Sequence, residues 1–136
     1  MAVLYKSQGY FAETEPLFKR SLEIKERTLG NDHPDVAVII SNLAELYYYK
    51  MYIEAEPLFK RALEIYENAL GKENKCVTIT LFNLAGLYES QGKYEKAEPL
   101  YQRSLEITEK ALGKDHPNYK TIMQTYSQML SEKIKE

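Results

Sequence analysis

The residues able to do acid–base, thiol or metal chemistry are few. The chain has two histidines, His33 and His116, and one cysteine, Cys76. Catalysis would need such a group held beside its partners in a cleft. The histidines occupy equivalent places far apart in the chain, each directly before a proline. As metal ligands they could hardly meet, and no carboxylate cluster in ligand spacing accompanies them, so no metal and no cofactor is expected. Their reading is a turn that starts a helix. Cys76 falls where Asp35 falls in the preceding segment, with no histidine close by to activate a thiolate, and reads as an inert link residue. A single cysteine also excludes an internal disulfide and any cysteine-based zinc cluster. Neither a G-x-x-x-x-G-K nor a G-x-G-x-x-G stretch occurs. No catalytic residues emerge, and an enzyme is not expected.

The wider composition narrows the partners. In 136 residues, 18 basic side chains face 20 acidic ones, a net charge of −2, which lacks the basic surplus that phosphate binding requires. Nucleic acid is therefore not an expected ligand. The longest uncharged run, Cys76 to Tyr88, has 13 residues, short of the roughly 18 needed to span a bilayer. No membrane contact is expected, and the N-terminus shows no signal peptide pattern. A cytoplasmic protein is the expectation.

The feature that organises the chain is repetition. Pro16–Gly30, Pro57–Gly71 and Pro99–Gly113 align without gaps, the first two agreeing at 11 of 15 positions and the last two at 10 of 15. The offsets are 41 and 42 residues. A second block recurs between them, Asn42-Leu43-Ala44-Glu45-Leu46-Tyr47 against Asn83-Leu84-Ala85-Gly86-Leu87-Tyr88. Each unit reads as two amphipathic helices. Val77, Leu81, Leu84, Leu87 and Tyr88 mark the first, and Ser90-Gln91-Gly92-Lys93 breaks it. Tyr94, Ala97, Tyr101, Ser104, Leu105 and Leu112 mark the second, stopped by Gly113. Asp32-His33-Pro34 and Asp115-His116-Pro117 set a proline behind a capping residue. Pro16, Pro57 and Pro99 fall early in the second helices, where a slight bend is expected. Ala85, Ala97 and Ser104 are small where helices should cross, and Tyr88 and Tyr101 fill the spaces between.

These residues resemble the tetratricopeptide repeats. Leu81, Leu84, Ala85, Tyr88, Gly92, Tyr94, Ala97, Tyr101 and Ser104 follow the family pattern in one repeat. Ile40, Leu43, Ala44, Tyr47, Tyr52, Ala55, Phe59 and Ala62 follow it in another, without the glycine. The usual period is about 34 residues; the longer one here, with Ala-Glu-Pro-Leu and Asp-His-Pro, is similar to the kinesin light chain type. The resemblance implies an all-α, right-handed superhelical solenoid of helix-turn-helix repeats, about three of them plus a capping helix. A single domain, residues 1–136, would hold a truncated repeat at 1–30, repeats at 34–71 and 76–113, and the capping helix at 117–134.

The resemblance also implies a role. Such arrays bind proteins in a concave groove lined by the first helix of each pair. By that analogy the groove presents Val38, Ser41, Asn42, Glu45, Tyr48 and Tyr49. Further along it presents Ile79, Phe82, Asn83, Gly86, Glu89 and Ser90, then Thr121, Gln124, Thr125 and Gln128, with Lys6 and Ser7 near its start. Asn42 and Asn83 stand where family members hold a peptide backbone by the side-chain amide; a local structural role is the alternative. Gly86 either opens space beside Phe82 or is simply tolerated. The Lys and Arg that clamp a terminal carboxylate are missing, so an extended peptide with apolar anchors fits better, with a basic residue facing Glu45 or Glu89. The function so implied is a non-catalytic adaptor. The alternative is a structural or self-assembling piece of a longer array.

Two irregularities generate expectations. Tyr47 to Pro57 spans one position fewer than Tyr5 to Pro16 or Tyr88 to Pro99, so a tighter turn is expected around Tyr48-Tyr49-Lys50-Met51-Tyr52. Aligned on the repeat, Met1 falls midway through a first helix, leaving Leu17, Phe18 and Leu22 partly uncovered, and a homodimer through that end is expected. At the other end Ile122, Met123, Tyr126 and Leu130 should point inward and SEKIKE outward, as in a cap.

Overall fold

A computed structural model describes residues 2–48 and 52–135, with side chains for 13–48 and 53–134. Those residues form six helices and no strand: α1 (Ala2–Leu29), α2 (Pro34–Tyr48), α3 (Tyr52–Leu70), α4 (Lys75–Ser90), α5 (Tyr94–Leu112) and α6 (Pro117–Lys135). They fall into two compact units, Met1–Ala69 and Leu70–Glu136.

The helix starts repeat one chemical device with different residues. Asn74 precedes α4 with extended backbone and accepts a 2.8 Å hydrogen bond from the Cys76 amide on its Oδ1. His33 and His116 stand at the same place before α2 and α6. Each accepts on Nδ1 from the amide two residues on, Asp35 or Asn118, at 3.0 Å. The imidazoles are thus helix caps that satisfy a donor the helix itself cannot. The helix stops repeat as well. Gly30, Gly71 and Gly113 lie at φ of 87°, 93° and 87°, where a side chain is strained, and the Gly30 and Gly113 amides bond back to Glu26 and Glu109.

In the first unit, α1 packs against α2, and Arg61 on α3 donates to Glu26 on α1 at 2.7 Å. Val36, Ala37, Ile40, Leu43 and Ala44 of α2 are buried, with Ala55, Phe59 and Ala62 of α3. The expected half helix followed by a second helix is not found here: α1 runs unbroken through Ser7-Gln8-Gly9. Continuing one helix adds a hydrogen bond per residue, which outweighs the roughly 1 kcal/mol that Gly9 costs inside it. The turn expected to tighten, at 49–51, lies outside the described residues.

In the second unit, α4 and α5 pack along most of their length and α6 packs on α5. Ala85, Ala97 and Ser104 are wholly buried, and the Ser104 hydroxyl donates to the Thr78 carbonyl of α4 at 3.3 Å. Phe82 meets Tyr101 edge to face and Tyr101 stacks on Tyr126, each pair 5.8 Å between centroids. One aromatic file therefore joins α4, α5 and α6, each pair worth about 0.5–1.5 kcal/mol beyond its burial. The α6 register differs from expectation. Ile122, Tyr126 and Met129 are buried, whereas Met123 is exposed and Leu130 half-buried. A helix packed on one neighbour hides one stripe, and the 122–126–129 stripe holds the tyrosine that stacks. Nor is the outer face wholly polar, because Ile134 in the SEKIKE tail is exposed.

Because Asn already caps α4, replacing His116 by Asn should leave thermal stability nearly unchanged. His116→Ala should cost about 1 kcal/mol. Thermal melts of the two variants against the parent chain check this, and equal losses would refute the cap.

Candidate functional site

The second unit holds an open cleft of about 520 Å³ between α4, the C-terminal half of α5 and the start of α6. From α4 it is lined by Lys75, Thr78, Ile79 and Phe82; from α5 by Ile107, Thr108, Ala111 and Leu112; from α6 by Asn118, Thr121 and Ile122. Glu73 and His116 complete the rim. The floor is mostly apolar. Lys110 reaches Glu73 at 3.5 Å, tying the rim of α4 to α5. Ile79, in the second turn of α4, is 54% exposed at the mouth of this cleft.

Of the residues that sequence reasoning set in a groove, Ile79, Phe82 and Thr121 meet at this cleft. Asn83 is half-buried on α4 and is not part of its lining. Glu89 turns toward α5, where its Oε1 accepts the Tyr101 hydroxyl at 2.7 Å. Thr125 donates its hydroxyl to the Thr121 carbonyl within α6, at 3.0 Å. Ser90 likewise donates to the Gly86 carbonyl at 2.9 Å. In the first unit Asn42 and Glu45 are exposed on α2, Tyr48 is half-buried, and the Ser41 hydroxyl oxygen is shut off from solvent. Val38, the counterpart of Ile79, is exposed too. Lys6, Ser7 and Tyr49 lie outside the described side chains.

Sequence reasoning missed the α5 wall. Ile107, Thr108, Ala111 and Leu112 come from the turns by which this repeat exceeds the usual length. One signal was present: Leu29, Leu70 and Leu112 recur at equivalent places, and all three stay exposed.

A charged network braces α6 further along its length. Gln102 donates to the Tyr126 hydroxyl at 2.9 Å, Tyr126 donates to Glu98 at 3.2 Å, and Lys133 donates to Glu98 at 3.1 Å. The Lys133 ammonium first, and the Tyr126 hydroxyl second, hold the Glu98 carboxyl below the usual glutamate value. Burial pushes the Tyr126 phenol above its ordinary value, and the charge of Glu98 adds to that. Among the described residues, no three His, Cys, Asp or Glu side chains gather to hold a metal.

The tetratricopeptide repeat family model matches residues 1–68, 50–105 and 76–133, which together span nearly the whole chain. The chain belongs to the tetratricopeptide repeat family. Its fold is similar to that of BtubC (BKLC) from P. vanneervenii, with a TM-score of 0.83 and 24% identity over 93% of this chain and 50% of that one. It is similar also to a kinesin light chain-like protein of Podosopora anserina with nearly identical TPR-like repeats, at a TM-score of 0.81 and 23% identity. That match covers 92% of this chain and 60% of the other. The chain thus spans about half to three fifths of the solved chains it matches. The 41- and 42-residue repeats share the tetratricopeptide fold of these kinesin light chain-like proteins. No helix among the described residues is long and apolar enough to cross a membrane.

The lowered Glu98 value fixes the sign of one pH effect. A carboxyl depressed in the native state contributes stability that is full above its unfolded value and is lost as pH falls through its native value. Lys133→Met removes the main cause. Its melting temperature should therefore fall furthest below the parent's at neutral pH, with the gap closing in acid below the ordinary glutamate range. Melts at pH 7 and pH 3 measure the gap.

Proposed function

We propose that the chain is a non-catalytic protein-interaction module that holds an extended segment of a partner protein, seating an apolar anchor in the α4–α5–α6 cleft. The observation that carries this reading is Ile79, half open to solvent above a mostly apolar cleft. Uncovered apolar surface of that kind marks binding sites. Asn83 is assigned the backbone of the bound segment, since an amide offers both a donor and an acceptor; Asn42 is proposed to offer the same pair of groups on the first unit's own surface. Thr125 is proposed as a further contact in the second unit, and Glu45 and Tyr48 as contacts in the first; Ser41 is not, because its hydroxyl oxygen is shut off from solvent. Family membership supports the reading, because tetratricopeptide repeats generally act as interaction modules. A catalytic role is not proposed: both imidazoles accept cap hydrogen bonds on Nδ1.

Peptides selected from a random displayed library against the parent chain, then measured by titration calorimetry, test the proposal. Ile79→Asp should weaken the selected peptides by about tenfold or more, a loss of roughly 1.4 kcal/mol. Asn83→Ala should weaken them less. Peptides that bind Ile79→Asp as tightly as the parent would place the interaction elsewhere.

A further inference from the structure

Two buried residues at the cleft are polar where packing alone asks for nothing polar. Thr78 of α4 and Thr108 of α5 line it and are only 9% and 3% exposed. The other buried hydroxyls of this unit are matched to carbonyls. Thr80 donates to that of Cys76 at 2.7 Å, and Ser104 to that of Thr78 at 3.3 Å. The Thr78 and Thr108 hydroxyls have no hydrogen-bond partner among the described residues. Nor is either oxygen sealed from solvent as that of Ser41 is, so both open onto the cleft. A buried hydroxyl without a partner costs free energy that a methyl in its place would not. Repetition shows that the fold does not require this pair. The aligned positions of the preceding repeat hold Ala37 and Tyr66, both buried.

The surroundings narrow what completes the two hydroxyls. Ile79, Phe82, Ile107 and Ile122 supply apolar walls. Glu73 and Lys75, the charged residues of the lining other than His116, are exposed on the rim, and Glu73 already faces Lys110 at 3.5 Å. A carboxylate or ammonium carried down to the threonines would lose its water with no opposite charge beside it. A neutral tip that both donates and accepts avoids that cost. We infer that the cleft takes a tyrosine of the bound segment, its ring on the apolar walls and its phenol hydrogen-bonded to Thr78 and Thr108. One phenol oxygen can donate to one hydroxyl and accept from the other, so a single group satisfies both. A carboxamide could meet the same pair but would bring little apolar surface to the walls. This assignment, which rests on the reading of the cleft as a peptide site, makes Thr78 and Thr108 the residues that set its specificity.

The probes are para-cresol and toluene, the side chains of tyrosine and phenylalanine as free molecules, which differ only by the hydroxyl. Titrations are followed on the methyl NMR signals of Ile79, Ile107 and Ile122. Para-cresol should bind the parent chain about fivefold more tightly than toluene, the gain of one net hydrogen bond. A wholly apolar surface gives the reverse order, because the phenol then leaves water for no partner. The double substitution Thr78→Val, Thr108→Val keeps the shape and should make toluene the tighter ligand, with circular dichroism unchanged. Toluene binding the parent as tightly as para-cresol overturns the tyrosine assignment, leaves the cleft a binding site, and needs no variant to observe. A preference for para-cresol that survives both substitutions overturns it too. If neither compound moves the three methyl signals, the reading of the cleft falls and the assignment with it.

Discussion

Close approach of α4 and α5 at Ala85, Ala97 and Ser104 is the constraint on which the second unit depends. With no side chain beyond a methyl or hydroxymethyl at the crossing, the helices come close enough for Ser104 to reach a backbone carbonyl. Larger residues there would separate the axes and strand the tyrosines beside them. Tyr101 would then lose both its edge contact with Phe82 and its stack on Tyr126. The hydroxyl bond from Tyr101 to Glu89 depends on the same spacing. The cleft is set by it too, since Phe82 and the α5 wall are held apart by the crossing below them.

Much of this was legible in the chain because it repeats. A pattern read three times discounts accident, so the helices, the glycine stops and the small residues at the crossing could be placed from residue type and spacing. The histidines are instructive: Asp32-His33-Pro34 marks a helix start, yet only geometry shows that the imidazole, not the aspartate, is the cap. Asn74 before Cys76 was not singled out, although it occupies the same place and does the same work.

What was not legible depends on neighbours rather than on local pattern. The unbroken α1 reflects a balance between a glycine's cost and the hydrogen bonds that one continuous helix keeps. The buried stripe of α6 was misread because two apolar stripes run along it, and sequence alone does not say which one a single neighbour takes. The cleft wall escaped because Leu112 read as a core position in an amphipathic helix and its neighbours Ile107, Thr108 and Ala111 were not singled out. Ile79, Phe82 and Thr121 were found because they share the period of the first helices. Glu89 shares that period as well and is turned to Tyr101 by a hydrogen bond that spacing cannot reveal.

The prolines have a consequence of another kind. Pro57 and Pro99 are each the sixth residue of their helix, and both lie on its exposed side. Neither can donate an amide hydrogen, so the carbonyls of Ile53 and Glu95 lack the bond a regular helix would give them and turn to water instead. The opening turn of each second helix is thereby joined to the remainder by a thinner ladder of hydrogen bonds. Amide deuterium uptake should therefore divide within these helices, rapid before the proline and slow after it. Each second helix is thus anchored by a buried alanine, Ala55 or Ala97, in the very turn where its own ladder of hydrogen bonds is thinnest.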